Sequence, residues 1–364
     1  MAIFHHPEFD HHESITFVDD PDTGLNAIIA IHSTALGPAA GGCRRWVYTS
    51  DEAALTDALR LSRGMTYKNA VAGLPFGGGK SVILGSDAAP KSPELFRAFG
   101  RAIESLGGRY ITAEDVGISV EDMRTVRGET NFVSGLPQSG NSAGGDPSPW
   151  TALGVFLGIE AAVASQLGVD SLQGLTVAVQ GVGNVGLHLC RLLHDAGAKL
   201  VIADVNAGSL HAVCKQMPAE LASPQEILFS DVDVLAPCAL GNVLNSETIP
   251  HIRARIVAGA ANNQLATAAD GHLLAESGIL YAPDYVINAG GVISVAHEYL
   301  GKSSEDRVRA EVSRIPDRLQ DIFRQAEGGG EPTNVIADDL ARDIVANGNK
   351  NRAMHDSTDN RRIA

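Results

Sequence analysis

Residues 175–204 constrain the chain more than any other stretch. LTVAVQ has the length and apolar character of a buried strand, GVGNVG follows, LHLCRLLHDAGA has a helical pattern, and LVIAD is a second strand. A glycine pattern G-x-G-x-x-G set between a strand and a helix marks a βαβ unit that binds a dinucleotide. Gly181 allows the tight turn, Gly183 lets backbone approach a pyrophosphate, and Gly186 lets helix and strand pack closely. The helix N-terminus adds free N–H groups and the positive end of a dipole. Asp204 ends the second strand, about 20 residues on, where an acid holds the adenosine ribose hydroxyls. A carboxylate there repels a 2′-phosphate, so NAD is expected over NADP. Three further strands, at 232–238, 254–260 and 279–284, extend a doubly wound sheet. The loops after them (Cys238-Ala239, Ala261-Asn262-Asn263 and Asn288-Ala289-Gly290-Gly291) fall where ligands of such sheets bind.

A second stretch, MTYKNAVAGLPFGGGK at 65–80, places Lys68 and Lys80 in an apolar run. Lysines are almost never fully buried without a partner. The run is therefore either the lining of a pocket or a surface turn with its lysines in water. Around it, Ser14–Phe17 and Leu25–His32 are expected as strands and 37–42 as a tight loop. A helix is expected over Asp51–Tyr67, capped by Ser50 or Asp51, with Lys68 at or just past its end. The three glycines 77–79 then form a loop before a short strand, Ser81–Leu84. A helix over Ser92–Leu106 and a strand over Arg109–Thr112 follow. Asp115, beyond that strand, is either a turn acid or a pocket residue.

The segment 135–149 is rich in Gly, Ser and Pro and is expected to join two domains. A long apolar helix, Trp150–Leu167, comes next. After Gly301, helices are expected over Ser304–Glu327 and Asn334–Val345, with a break at GGGEP and a loosely held polar tail.

A net charge of −15 argues against nucleic acid or an anionic membrane as a partner. No apolar run is expected to span a bilayer, and the N-terminus lacks a signal pattern. The four cysteines are far apart with no CxxC pair, as expected of reduced thiols in a cytoplasmic protein. His5, His6, His11 and His12 are expected to be solvated rather than to bind metal, since no ligand set completes them.

Seven segments, LGPAAGGCR, GMTYKNAVAGLPFGGGKSV, RYITAEDVG, VAVQGVGNVG, APCALG, VAGAANNQL and YAPDYVINAGGVISV, together resemble the glutamate/leucine/phenylalanine/valine dehydrogenase family, and within it the leucine and phenylalanine branches. They span about Ala27 to Leu300. The resemblance implies an α/β fold of two domains: an N-terminal substrate-binding, catalytic and oligomerisation domain over 1–140, and a Rossmann-type NAD-binding domain over 141–330, with an active-site cleft between them. Residues 331–364 would be a helical segment and tail packing back on the first domain. It further implies a homo-oligomer and the reversible oxidative deamination of an L-amino acid to a 2-oxo acid and ammonia.

By the same resemblance, Lys68 holds the substrate α-carboxylate, Lys80 is the catalytic lysine and Asp115 its acid–base partner. A lysine serves as base when neighbouring ammonium groups and desolvation lower its pKa. Gly41, Gly42 and Asn263 also meet substrate, and Ala40, Met65, Ala113, Val292 and Val295 line an apolar side-chain pocket. Glutamate enzymes carry a lysine where Ala40 stands and a serine where Val295 stands, so an acidic side chain would lack partners here. The implied NAD residues are Thr151, Gln180, Gly181, Val182, Gly183, Asn184, Val185, Gly186, Asp204, Cys238, Ala239, Asn262 and Asn288. Ala40 is similar to the phenylalanine enzymes and Ala113 to the leucine enzymes; leucine and other branched chains are expected as substrates, with phenylalanine the alternative. A catalytically silent NAD-binding sensor is the alternative of another class. A 2-hydroxy-acid dehydrogenase would need a histidine near the cofactor loops that is missing.

Overall fold

The computed structural model describes residues 3–85, 90–136, 146–239, 241–302 and 304–359, with side chains to 348. The chain folds into two compact units. One is Met1–Gly145 with Val295–Lys302 and Ala341–Ala364; the other is Asp146–Ser294 with Ser303–Leu340.

The first unit is built on a five-stranded sheet. Its strands are β1 (Ser14–Asp20), β2 (Leu25–Ser33), β3 (Ala39–Trp46), β4 (Gly77–Leu84) and β5 (Tyr110–Glu114), in the order β1-β2-β4-β3-β5. β3 runs parallel to both β4 and β5, and β2 runs antiparallel to β4. One face packs on α1 (Asp51–Val71) through Ile28, Ala30, Val82, Ala54 and Ala58. The other packs on α2 (Pro93–Ser105) and α3 (Val120–Arg127) through Ile29, Ile83, Tyr110, Phe96, Phe99 and Met123. The Ser50 hydroxyl accepts from the Ala53 N–H and caps α1, as expected.

Two expectations for this unit are corrected. The segment 37–42 is not all loop, because β3 begins at Ala39 and takes in Ala40, Gly41 and Gly42. The three glycines are not a loop either; they are the first residues of β4, buried throughout. Strand-forming side chains are missing from GGG because neighbouring backbone occupies their place. A Cβ on Gly78 would fall on the backbone of Thr66 in α1, and one on Gly79 would lie 2.7 Å from the Tyr110 ring. Helix α1 continues through Lys68 to Val71, past the expected end at Tyr67.

The N-terminal histidines are also corrected. His5 and His11 are exposed, but His6 and His12 are buried. The His12 Nε2 lies 3.1 Å from both Leu59 O and Ser62 Oγ, and His32 Nδ1 lies 2.8 Å from Thr66 Oγ1. The two rings meet edge to face at 4.8 Å. Burial, helped by the nearby His12, pushes His32 down to about 4, and burial lowers His12 too. An unfolded histidine titrates near 6.5, so the stability these neutral rings contribute is complete above that pH and is lost as pH falls toward about 4. The thermal midpoint is expected to fall between pH 6.5 and 5, and His32→Asn to flatten that dependence in calorimetry. An unchanged slope in the variant would mean that other groups carry the acid sensitivity.

The second unit opens with α4 (Ser148–Leu167). By length and composition this helix could cross a membrane, contrary to the expectation that no segment could. Here it is a core helix, with Ala152, Val155, Ile159 and Ala162 buried. Six parallel strands follow: β6 (Thr176–Gln180), β7 (Lys199–Ala203), β8 (Glu220–Leu221), β9 (Val234–Pro237), β10 (Ile256–Val257) and β11 (Leu280–Tyr281). Their order, β11-β10-β9-β6-β7-β8, is that of a Rossmann sheet, with the order reversing beside β6. Between β6 and β7 lies α5 (Asn184–Asp195); α6 (Ala207–Cys214) follows β7, α7 (Asp270–Glu276) precedes β11, and the short α8 (Asp284–Ile287) follows it.

The edge strand β8 and the helix α6 had no clear periodicity in the sequence. The NAGG segment is not a loop throughout, because α9 (Gly290–Tyr299) begins inside it. The single helix expected over Ser304–Glu327 is two, α10 (Glu305–Val312) and α11 (Ile315–Gly329), with Pro316 in the first turn of the second. The last helix, α12, runs Thr333–Asp359, well beyond the expected end and into the segment expected to be a loose tail. Of the segment expected to join two domains, 137–145 lies outside the described residues.

Candidate active site and dinucleotide loop

In the first unit, strand alternation decides which side chains share a face. Ala40, Gly42 and Arg44 alternate with Ala39, Gly41 and Cys43, all three buried, of which Ala39 and Cys43 pack on the α2 side. On β4, Lys80 lies two residues from Gly78 and two from Val82, which touch α1, so it is on the α1 face. On β5, Ala113 is out of phase with Tyr110 and opposite Gly42, and Asp115 lies just past the strand end. Ala40, Gly42, Lys80, Ala113 and Asp115 thus share the face on which α1 lies.

Lys80 Nζ donates to Asp115 Oδ2 at 2.5 Å. Lys80 is 5% exposed. The lysine that could have pointed to water is therefore buried and paired. Its partner is the carboxylate of Asp115. A Cβ on Gly42 would lie 2.9 Å from Asp115 Cβ, so the bare glycine makes room for that side chain. Burial by itself pushes the Asp115 carboxyl up, but Lys80 and Arg44 outweigh it and hold the group below the ordinary carboxylate range.

Met65 and Lys68, three residues apart, share a flank of α1. They bracket Thr66, whose backbone meets Gly78. A Cβ on Gly41 would lie 3.1 Å from Met65 Cγ, so Met65 lies against that glycine. Asn69, in the next turn, donates to Gly77 O at 2.6 Å and ties α1 to the start of β4. Val295 belongs to this unit, whereas Val292 and Asn263 belong to the other.

Sequence reasoning did not single out Arg44, whose Nε donates to Asp115 Oδ2 at 3.2 Å. Its signal was present: once 39–46 is a strand parallel to β5, with Cys43 opposite Glu114, the next residue falls beside Asp115.

In the second unit, Gly181 turns the chain at φ +91°, and a Cβ there would lie 2.7 Å from that of Ala239. The turn after β6 and the turn after β9 therefore meet at the point where strand order reverses. A Cβ on Gly186 would fall on Gly181 O, whereas one on Gly183 would meet nothing within 4 Å. Gly183 is the N-cap of α5 and makes no side-chain cap, which leaves the helix N–H groups open beside that space. The residues thus fit a pyrophosphate at Gly183. Asp204 accepts from the Val182 N–H through Oδ2 and from the Asn206 N–H through Oδ1, both at 2.8 Å, so it also braces the glycine turn.

Of the remaining residues expected at NAD, Asn288 donates to Asn262 Oδ1 at 2.8 Å and to Ala260 O at 3.0 Å. Cys238 N donates to Gln180 O at 2.7 Å, joining the ends of β9 and β6. Burial pushes the Cys238 thiol up to about 12. Thr151 is in the first turn of α4, where its Oγ1 donates to Pro147 O at 3.2 Å and occupies the space a Cβ on Gly291 would need. Asn184 opens α5 and Val185 follows it. Among the described residues no group of three metal-ligating side chains occurs.

A Rossmann sheet with an open glycine turn, together with a separate α/β unit holding a buried lysine–carboxylate couple, defines a two-domain dinucleotide-dependent dehydrogenase. Residues 12–132 match the family model for the Glu/Leu/Phe/Val dehydrogenase dimerisation domain, and 146–216 and 207–331 match that for Glutamate/Leucine/Phenylalanine/Valine dehydrogenase. The chain belongs to this family. It is 49% identical over 354 residues to a leucine dehydrogenase of Geobacillus stearothermophilus, covering 97% of this chain and 96% of that one. It is 45% identical over 346 residues to a phenylalanine dehydrogenase of Bacillus thermotolerans, covering 93% and 90%. Among solved structures, the L-tryptophan dehydrogenase of Nostoc punctiforme matches with a TM-score of 0.81 at 47% identity, covering 93% of this chain and 97% of that one.

Proposed function

We propose that this protein catalyses the NAD-dependent, reversible oxidative deamination of a hydrophobic L-amino acid, leucine and other branched chains first, to the 2-oxo acid and ammonia. The observation that carries the reading is the buried Lys80 Nζ held 2.5 Å from Asp115 Oδ2. Lys68 holds the substrate α-carboxylate. When bound, NAD would supply the hydride acceptor, and loss of hydride from Cα turns the neutral amine of the substrate into an iminium ion. Water attacks that carbon while Lys80, as the free amine, takes its proton. The proton passes across the Lys80–Asp115 contact to Oδ2 and on to the amine nitrogen; the C–N bond then breaks to release ammonia while the hydroxyl proton goes to Lys80 and the carbonyl forms. Gly181, Gly183 and Gly186 seat the pyrophosphate, and Asp204 faces the ribose; Gln180, Val182, Asn184, Val185, Thr151, Cys238, Ala239, Asn262 and Asn288 complete the cofactor site. Gly41, Gly42, Asn263, Met65, Ala113, Val292 and Val295 form the substrate site with Ala40. Residues 1–140 form the substrate domain, 141–330 the NAD domain, and 331–364 return to the first.

The protein acts as a cytoplasmic homo-oligomer. The description of the first family model as a dimerisation domain supports the assembly, and four free cysteines support the compartment.

The test is initial rates with leucine, valine, isoleucine, phenylalanine, tryptophan and glutamate, each with NAD and with NADP. The expected result is the highest kcat/KM for a branched aliphatic substrate with NAD, and a large preference for NAD. Equal kcat/KM with both cofactors would remove Asp204 from the ribose. No turnover of any amino acid would favour the sensor.

Ala40 tests the side-chain pocket. It lies opposite Gly78 on one side and Ile111 on the other, on the α1 face. Ala40→Leu fills volume there and should lower kcat/KM for phenylalanine relative to valine by about tenfold or more. An unchanged ratio would remove residue 40 from the pocket.

A further inference from the structure

We infer that Arg44 is a positioning residue for the reaction: by its contact with Asp115 it fixes the carboxylate on Lys80 and keeps it ready to accept a proton. The inference rests on the roles proposed above for Lys80 and Asp115. Three observations carry it.

First, Arg44 Nε and Lys80 Nζ both donate to one oxygen, Asp115 Oδ2, at 3.2 and 2.5 Å. Two cations on one oxygen define the direction of the carboxylate, and they come from adjacent parallel strands, β3 and β4. Second, Arg44 is itself held. Its Nη1 donates to both oxygens of Asp57 in α1, at 3.3 and 3.0 Å, and the Tyr48 hydroxyl donates to Asp57 Oδ2 at 2.6 Å. A guanidinium donates in several directions from one rigid plane, so it can hold Asp57 and Asp115 at once; an ammonium on a flexible stem has no such fork. Third, the array is half-buried, with 25–26% side-chain exposure at Arg44, Asp57 and Asp115, so its charges are only partly screened by solvent.

Among the described residues, the charged and titratable groups around Asp115 include Lys80 on β4, Arg44 and Cys43 on β3, and beyond Arg44 the Asp57 of α1 and Tyr48. The Cys43 thiol is pushed up to about 12 by burial, and burial with the Asp57 hydrogen bond raises Tyr48 well above its ordinary range, so both stay neutral. Of the two cations that stabilise ionised Asp115, Lys80 changes charge during the proposed cycle. Arg44 does not, because a guanidinium stays protonated. When Lys80 is the free amine, Arg44 is the cation that keeps Asp115 ionised. Without it the carboxyl would hold its own proton at higher pH and could not take the next one from Lys80.

The experiment is the pH dependence of kcat/KM for the whole enzyme with NAD and leucine, in wild type, Arg44→Met and Arg44→Lys. In Arg44→Met the acidic limb is expected to move up by about one pH unit or more, the effect an adjacent arginine has on an aspartate. Arg44→Lys keeps the charge but loses the fork: its limb should stay near the wild-type position while the plateau rate falls at least about tenfold, since misplacing a proton-transfer group is costly. An Arg44→Met limb at the wild-type pH overturns the inference. So does an Arg44→Lys plateau within about twofold of wild type, and this decides the matter if Arg44→Met does not fold. Lys80→Ala and Asp115→Asn run alongside. If either retains the wild-type rate, the underlying reading fails; if both are inactive while Arg44→Met keeps its limb, only the role of Arg44 fails.

Discussion

Lys80→Ala is expected to lower the rate of amino-acid oxidation at least about 100-fold, the smallest usual contribution of a general acid–base group. The protein should still fold. Truncating one partner of a buried ion pair is costly when it strands the other charge, but Asp115 keeps Arg44 at 3.2 Å and is about one-quarter exposed. NAD affinity should stay within about twofold, because the glycine turn belongs to the other compact unit and is braced by its own Asp204. Single-turnover rates and a fluorescence titration with NADH check both statements. A variant with more than about a tenth of the wild-type rate would end the assignment of Lys80 as the acid–base group.

The second large effect separates two glycines of similar appearance in the sequence. Gly183→Ala places a Cβ where nothing lies within 4 Å, at an ordinary φ of −68°. The protein should still fold, with a thermal midpoint lower by a few degrees at most, since the one cost is that of Ala replacing Gly as the N-cap of α5, about 1 kcal/mol. The affinity for NAD should fall at least tenfold, because that space is where backbone and pyrophosphate approach each other. Gly78→Ala should do the reverse to the fold. Its Cβ would collide with the Thr66 backbone, which cannot rotate away as a side chain would, and α1 would have to shift. Overpacking of this kind costs about 1–3 kcal/mol or more. At about 2–4 °C per kcal/mol for a domain of this size, the midpoint should drop by several degrees. Turnover should fall with it, because Thr66 lies between Met65 and Lys68. A stable, active Gly78→Ala protein would show that α1 does not need to lie so close to β4. A Gly183→Ala protein with unchanged NAD affinity would remove the pyrophosphate from that turn.

The sequence by itself determined the parts of this protein that depend on neighbours along the chain. The βαβ unit at 175–204 was legible because one segment contains its strand period, its glycine spacing, its helix and its terminal acid. Ser50 was legible as one of two candidate caps for the same reason: its hydroxyl accepts from an N–H three residues away. The tertiary structure decided what lies across strands. The glycines 77–79 look like a loop along the chain because glycine is poor in strands; they are strand because Thr66 and Tyr110, 12 and 31 residues away from Gly78 and Gly79, occupy the space of their side chains. The segment 39–46 had no hydrophobic alternation to announce it, since two of its inward positions are Ala39 and Gly41, yet it is the middle strand between β4 and β5. With that strand unseen, Arg44 had no place in the site. His12 and His32 likewise met only when β2 packed on α1, which is how imidazoles that suit water along the chain became a buried, neutral pair. Local spacing specifies caps and turns because their partners lie within one turn of chain; a burial or an ion pair across parallel strands depends on register, and register is set by the packing of the whole sheet.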